Sequence, residues 1–280
     1  MSTRKAVVAG KYYPSKGEET KKLIDYVEKK EVNNLAHIVK AELDVLGGVV
    51  PHAGIMFSGY QAVHFFHYII DREFDSVVIL SPSHTGRGPE IAIDGNDEWE
   101  IPGAVFKTDK QFIESGLLEV SSESQMGEHA AEVMLPYLDY FRPDLKQISV
   151  ITIRKVDHPN TEKVAQALIE YEKQSGKKLL VIASSDFNHF QTVEEGRAKD
   201  DLILEPIKNK QENEVLERVR KYDASVCGYG PIVSLMAYAR LKNPDARFGV
   251  LRRGHSGEVM PSESVVNYIS MLCSVPRKKE

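Results

Sequence analysis

The sequence predicts an α/β fold: a single domain over residues 1–280, with a mostly parallel central sheet flanked by helices. Short apolar runs indicate the strands, because parallel strands covered on both faces are continuously apolar rather than alternating. Segments with the 3.6-residue period of amphipathic helices separate these runs. Strands that alternate with helices in this way are typical of a parallel sheet.

The predicted strands are short and rich in aliphatic residues, and they cover 46–50, 76–80, 148–153, 179–183, 248–251 and 265–273. The predicted helices carry apolar residues on one face, and they cover 18–30, 59–70, 128–141, 161–173, 193–204, 213–222 and 231–241. Ser58 is a candidate cap for the second helix, and Pro231 suits the first turn of the last.

Residues 86–108 interrupt the alternation of strands and helices. A turn at 87–89 precedes a short strand-like stretch at 90–94, and the only tryptophan, Trp99, follows. We expect this segment to be an insertion beside the crevice at the strand ends.

Charge and cysteine content disfavour several classes of function. Lys and Arg number 36 against 41 Asp and Glu, a formal charge of -5, and no basic run resembles a nucleic-acid-binding arm. Two cysteines, Cys227 and Cys273, are too few for a disulfide framework. No apolar run approaches the ~20 residues of a membrane span. The sequence therefore predicts a cytoplasmic protein without nucleic-acid or membrane partners.

Signature motifs of common enzyme classes are also absent. The sequence contains no P-loop, no Gly-x-Gly-x-x-Gly after a strand, no His-Glu-x-x-His and no Gly-x-Ser-x-Gly. Nucleotide-driven and serine-hydrolase chemistry are accordingly disfavoured.

Histidines follow two of the predicted strands. His52 comes just after 46–50 and before Ala53 and Gly54, which are small enough to let a ligand approach the backbone, and His84 follows the next strand. The carboxyl ends of parallel strands share one sheet edge, so both imidazoles are expected in one crevice. A histidine that merely caps a turn is the alternative for each, but two at neighbouring strand ends favour a joint metal or catalytic site.

Asp186 and His189 follow the strand at 179–183. Such a pair can provide a metal ligand, a general base, or a carboxylate that orients an imidazole. Alternatively, Asp186 caps a helix and His189 occupies its first turn. Both interpretations can hold together.

Cys227 lies just ahead of the predicted helix 231–241. A helix N-terminus favours an anion, which lowers the pKa of a thiol and suits a nucleophile or a metal ligand. A buried, inert cysteine is the alternative, and Cys273, inside an apolar strand, fits that description.

Other histidines carry weaker signals. A predicted helix begins with Glu128, His129 and Glu132. Acidic residues are electrostatically favoured in a first helical turn, so a structural role is favoured over a role in a functional site. His64 and His67 share a helix face among aromatic residues and are interpreted as packing residues.

His255 follows the strand at 248–251. Together with Arg252 or Arg253 it could line the crevice and suit an anionic substrate.

Six short motifs occur once each, in a fixed order, along nearly the whole chain. They are Ala9-Gly10-Lys11-Tyr12-Tyr13-Pro14; Pro51-His52-Ala53-Gly54 with Ser58-Gly59; Ser81-Pro82-Ser83-His84; Glu128-His129-Ala130-Ala131-Glu132 with Leu135-Pro136-Tyr137; Ser184-Ser185-Asp186-Phe187-Asn188-His189; and Cys227-Gly228 with Pro231-Ile232. In this order they resemble the Memo (mediator of cell motility) family.

The resemblance implies a fold similar to the class III extradiol dioxygenases, which use non-haem Fe(II) to open catechol rings. By this analogy His52 and His84 are two metal ligands, Cys227 is the third, and Asp186 and His189 complete or tune the pocket. The sequence departs from the dioxygenases where Cys227 replaces the carboxylate of a two-histidine, one-carboxylate triad. The resemblance therefore does not carry dioxygenase activity over to this chain.

Two functional hypotheses follow. The leading one is a metal-dependent redox protein that binds iron or copper, with zinc as a further candidate, through His52, His84 and Cys227. The alternative is a non-catalytic module that holds a peptide, a small anion or a metal in an oxygenase-like pocket. A hydrolase with a divalent metal and Asp186 or His189 as base has suitable residues but no motif. The ligand class expected is a small molecule or peptide, and the oligomeric state is left open.

Overall fold

The computed structural model describes residues 1–35 and 43–277. Within them the strands are β1 (Thr3–Lys5), β2 (Leu43–Val50), β3 (Ser76–Pro82), β4 (Ile91–Ile93), β5 (Glu98–Ile101), β6 (Ala104–Thr108), β7 (Gln147–Ile153), β8 (Leu179–Ser184), β9 (His189–Gln191), β10 (Arg247–His255) and β11 (Val265–Pro276). The α-helices are α1 (Gly17–Leu35), α2 (Ile55–Tyr68), α3 (Lys110–Glu114), α4 (Met134–Phe141), α5 (His158–Ser175), α6 (Val193–Lys208), α7 (Glu212–Lys221) and α8 (Tyr229–Lys242).

The strands form one mixed sheet in the order β1-β5-β6-β7-β3-β8-β2-β11-β10, and β4 and β9 pair with β7 and β11. The central run from β6 to β2 is parallel, whereas β11 and β10 are antiparallel to their neighbours. Helices flank both faces, so the predicted α/β class with a mostly parallel sheet is confirmed. Because both faces are covered, alternate residues of β3 and β8 enter two separate apolar cores.

All six strands predicted from apolar runs are present, and each is longer than predicted. The apolar pattern of the sequence did not predict β1, β5, β6, β9 or α3, which are only three to five residues long. Residues 86–108 were expected to form an insertion beside the crevice, but they contribute all of β4, β5 and β6 to the sheet.

Two predicted helix starts are wrong by four or more residues. The helix predicted from residue 128 begins at Met134, because residues 130–133 form turns. The second helix begins at Ile55, so Ser58 is not its cap; the Ser58 hydroxyl lies within the first turns and donates a hydrogen bond to the carbonyl of Ala53.

The buried carboxylate of Glu132 holds the N-terminal segment against the sheet. It accepts hydrogen bonds from the backbone amides of Val7 at 2.9 Å and Val8 at 3.0 Å, and from the Tyr13 hydroxyl at 2.7 Å. The Arg4 guanidinium, itself buried, pairs with the same carboxylate. These contacts fix the segment that carries Tyr12.

Among the described residues, none of the helices combines the length and apolar character needed to cross a membrane.

Candidate metal centre

Three parallel strands end at the same sheet edge and place a polar residue two positions beyond each end. His52 follows β2, His84 follows β3 and Asp186 follows β8, which lies between those two strands. Cys227, two residues before α8, reaches the same place. The ligand atoms of His52, His84 and Cys227 all lie within 4.8 Å of one another. The expected convergence of these three residues is therefore observed.

The ring of His52 is held with one nitrogen turned toward the thiol. Its Nδ1 lies 2.8 Å from the Ser184 hydroxyl, which donates to the Ala130 carbonyl at 2.7 Å. A serine hydroxyl has one proton to donate, so it accepts from Nδ1-H, and the lone pair lies on Nε2. That Nε2 is 3.3 Å from Cys227 Sγ. Burial, followed by the nearby histidines, lowers the pKa of His52 well below its usual value, so the imidazole stays neutral.

The ring of His84 is oriented by the buried carboxylate of Glu128. His84 Nδ1 lies 2.8 Å from Glu128 Oε1, and the His84 amide donates to Oε2 at 2.5 Å. Burial alone would raise the pKa of Glu128, but the hydrogen bond and charge of His84 and the surrounding amides lower it to about 2. Burial acts to lower the pKa of His84, but the hydrogen bond and charge of Glu128 raise it, so a metal would displace the Nε2 proton of the charged ring. The carboxylate on Nδ1-H directs Nε2 to the metal, as in carboxylate-histidine-metal arrangements.

His129 adds a third imidazole to the cluster. Its ring stacks on His84 with centroids 4.6 Å apart, and it lies 5.3 Å from the His52 ring and 4.8 Å from Tyr12. Burial and the charge of His84 lower the pKa of His129 to about 4. The ligand atoms of His84, Glu128 and His129 form a second group within 4.8 Å.

The interpretation of Glu128 and His129 as first-turn helix residues is wrong, because α4 begins at Met134 and both side chains face the histidine cluster. The signal that could have identified them was the group Glu128-His129 itself, since an acid and an imidazole at adjacent positions have metal-site chemistry. Glu132 also precedes α4, so its predicted place in the helix is wrong; its carboxylate instead accepts hydrogen bonds from the N-terminal segment.

The carboxylate of Asp186 is buried and hydrogen-bonds to backbone amides, not to an imidazole. Its Oδ1 accepts from the amides of His52 at 2.8 Å and Ala53 at 3.3 Å, and its own amide donates to Cys227 Sγ at 3.3 Å. Burial raises the pKa of Asp186 to about 6 despite these amides. The helix-cap interpretation is wrong, because β9 and not a helix follows.

His189 lies at the margin of the cluster, in β9 rather than in a helical turn. Its Nδ1 is 2.7 Å from the Ser225 carbonyl and must donate to it, which leaves Nε2 unprotonated in the neutral ring. In its charged form the ring lowers the pKa values of both His52 and Asp186. Its ligand nitrogen is not part of the His52, His84 and Cys227 group.

The expectation of a lowered thiol pKa at Cys227 is wrong for the protein without metal. Burial, and then the charge of Asp186, raise the pKa of the thiol above its usual value. Hydrogen bonds from the Asp186 amide, the Ser185 side chain and the Gly228 amide act in the opposite direction but are outweighed. A coordinated metal ion deprotonates a thiol outright, so the thiolate would form on metal binding.

Of the other described histidines, His64, His67 and His255 lie outside this cluster. His64 Nε2 is 2.9 Å from Glu31, and His67 Nδ1 is 3.0 Å from Glu28, so both tie α2 to α1, as the packing interpretation predicted. His255 lines a separate cavity together with arginines of β10.

A family model described as Memo-like protein matches residues 4–272. The chain belongs to the Memo-like family. It is 32% identical to a MEMO1 family protein of Methanosarcina mazei over 97% of this chain and 99% of that one. It is 34% identical to a MEMO1 family protein of Methanosarcina barkeri over 96% and 99%. A solved structure of an uncharacterised Escherichia coli K12 protein aligns with 7% identity and a TM-score of 0.49, over 76% of this chain and 92% of that one.

The donor set of this Memo-like chain fits a transition metal. Metal-nitrogen distances of about 2.0–2.1 Å and metal-sulfur distances of about 2.3 Å place tetrahedral donors roughly 3.3–3.6 Å apart. Cys227 Sγ and His52 Nε2, at 3.3 Å, lie within about 0.3 Å of the roughly 3.6 Å expected for a nitrogen-sulfur pair. Two imidazoles and a thiol suit zinc, copper or iron better than calcium or magnesium, which prefer oxygen ligands.

Proposed function

We propose that this Memo-like protein is a cytoplasmic, metal-dependent redox protein that binds iron or copper through His52, His84 and Cys227. The observation that carries the proposal is the spacing of the thiol and the two imidazoles, whose ligand atoms lie within 4.8 Å. The reducing conditions of the cytoplasm keep thiols free, which agrees with two unpaired cysteines.

Each side chain has a distinct part in this proposal. Ser184 and Glu128 hold Nδ1 protons, so that Nε2 of His52 and of His84 are available as donors. The bound metal would supply one-electron redox chemistry. Asp186 positions the His52 and Cys227 segments through backbone bonds, and the free Nε2 of His189 can accept a proton from a ligand at the margin.

The access route supports a small substrate or ligand. The His84 side chain is 33% exposed and His129 is 18% exposed, whereas His52 is buried. A molecule would therefore enter over His84 and His129 and meet the thiol behind them.

The first test is the metal content of freshly purified protein combined with redox titration. We expect close to one equivalent of iron or copper per chain and a reversible change in its oxidation state, followed by spectroscopy. Zinc without any redox change, or a metal-free chain that does not take up Fe(II) or Cu(I), contradicts the redox proposal. Binding without redox change or turnover supports the alternative of a non-catalytic module.

The second test is Asp186→Asn. The substitution removes the negative charge beside Cys227 and weakens the acceptor for two backbone amides, so we expect about 10- to 100-fold weaker iron or copper binding. Competition with a chelator of known affinity measures this change. Asp245→Asn, on an exposed loop, is the control and should bind like the parent. Parent-like binding by Asp186→Asn would limit Asp186 to a structural role.

A further inference from the structure

A separate cavity of about 200 Å³ lies between α6 and the edge strand β10. Its charged or titratable lining residues are Arg197, Asp200, Arg252, Arg253, His255 and Glu258. It contains none of the candidate metal ligands. We propose that this cavity binds a small oxyanion, a phosphate or carboxylate group held by Arg197, Arg253 and His255.

Arg197 supplies an uncommitted positive charge. It lies on α6 and is exposed, and no hydrogen bond or ion pair within residues 1–35 and 43–277 engages its guanidinium. Guanidinium groups match carboxylate and phosphate geometry with paired donors. An arginine without a partner at the mouth of a cavity is therefore suited to capture an anion.

Two nitrogens within the cavity lining are buried without a hydrogen-bond partner. Arg253 Nη1 donates to Asp201 at 2.6 Å, but Nη2 is buried and lies 3.9 Å from Asp200 Oδ2, too far for a hydrogen bond. His255 Nδ1 is also buried without a partner. Buried unsatisfied polar groups are costly and rare. Both nitrogens belong to residues that line the cavity, and an oxyanion is the acceptor that the proposal assigns to them.

The acids in the lining do not fill this role, because Asp200 accepts hydrogen bonds from other side chains and Glu258 forms an ion pair with Arg252. Asp200 Oδ1 accepts from the side chain of Asn188 at 2.7 Å and from its amide at 3.2 Å, and Oδ2 accepts from Asn267 at 2.6 Å. Glu258 faces Arg252, with Oε2 and Nη2 3.8 Å apart. Arg197 and the Nη2 of Arg253 therefore remain available.

The cavity is also linked to the candidate metal centre. Asn188, which Asp200 holds, lies between Asp186 and His189 in the chain, and its carbonyl accepts from the amide of Asn267. An anion beside Asp200 would thus sit against the residues that order this loop. The oxyanion proposal itself rests on none of the metal-donor residues.

The test is calorimetric titration of the full chain with inorganic phosphate, methyl phosphate and malonate at constant ionic strength. We expect saturable binding that Arg197→Ala and Arg253→Gln each weaken by about 10- to 100-fold, the range for lost hydrogen bonds to a charged group. Tighter binding of the phosphates identifies a phosphoryl ligand, and tighter binding of malonate identifies a carboxylate ligand. Thermal unfolding checks that each variant is folded, and the exposed Arg197 keeps the test valid if Arg253→Gln is unstable.

Arg247→Ala is the matched control, because it removes an exposed arginine from the same strand, β10, away from the cavity lining. An equal loss of affinity in this variant would show nonspecific charge attraction and overturn the proposal. Cys227→Ser should keep its phosphate or malonate affinity; a loss there would place the anion on the metal centre instead. If none of the three probes shows saturable binding, the oxyanion proposal is also refuted.

Discussion

Cys227→Ser is expected to lose most of its affinity for Cu(I) and Fe(II). The substitution removes the sulfur that lies 3.3 Å from His52 Nε2 and leaves two imidazoles and a weak hydroxyl donor. We expect the loss to exceed the about 10- to 100-fold that follows removal of a group that only orients a ligand. Chelator competition under anaerobic conditions measures it.

Cys273→Ala provides the matched control, because Cys273 is the other free cysteine and lies buried in β11. It should bind metal like the parent, with any effect confined to stability. If Cys227→Ser also keeps the parent affinity, the thiol is not a ligand and the redox proposal fails.

Cys227→Asp separates the redox hypothesis from a dioxygenase origin. The variant would place two histidines and a carboxylate at one site, the donor set of non-haem iron oxygenases. Oxygen consumption with simple catechols is the measurement. Ring opening by the variant but not by the parent would identify a dioxygenase scaffold diverted by one residue. Ring opening by the parent would show that the thiol does not decide the chemistry.

Glu132→Ala is expected to lower the free energy of unfolding by about 3–5 kcal/mol, the range for breaking a buried ion pair from one side. Removing the Glu132 carboxylate leaves the guanidinium of Arg4, a side chain only 6% exposed, without its ion-pair partner. It also leaves the amides of Val7 and Val8 and the hydroxyl of Tyr13 without an acceptor. Urea unfolding followed by circular dichroism measures the change.

Two further variants make this prediction specific. Tyr13→Phe removes one of these hydrogen bonds and should cost about 1 kcal/mol. Glu123→Ala removes an exposed glutamate from a nearby segment and should stay within about 0.5 kcal/mol of the parent. A Glu132→Ala protein as stable as Glu123→Ala would mean that the N-terminal segment does not depend on this carboxylate.

The fold class was predictable because its cause is local in the sequence. Strands buried on both faces must be apolar throughout, and the six apolar runs correspond to six strands of the sheet. Short strands such as β1 and β9 carry too few residues to show a period, so pairing with a neighbour decides them. The turn at 130–133, which shortens α4, was likewise not predictable, because most of its residues favour a helix.

The sequence by itself determined that His52, His84, Asp186 and Cys227 meet, since parallel strand ends share one edge and each of these residues follows a strand or precedes a helix. Only the tertiary structure decided how they are arranged. Glu128 reaches His84 from 44 positions away, and burial, a property of the whole fold, raises the thiol pKa that the helix end was expected to lower. Hydrogen-bond partners and desolvation depend on residues remote in sequence, so no local pattern encodes them.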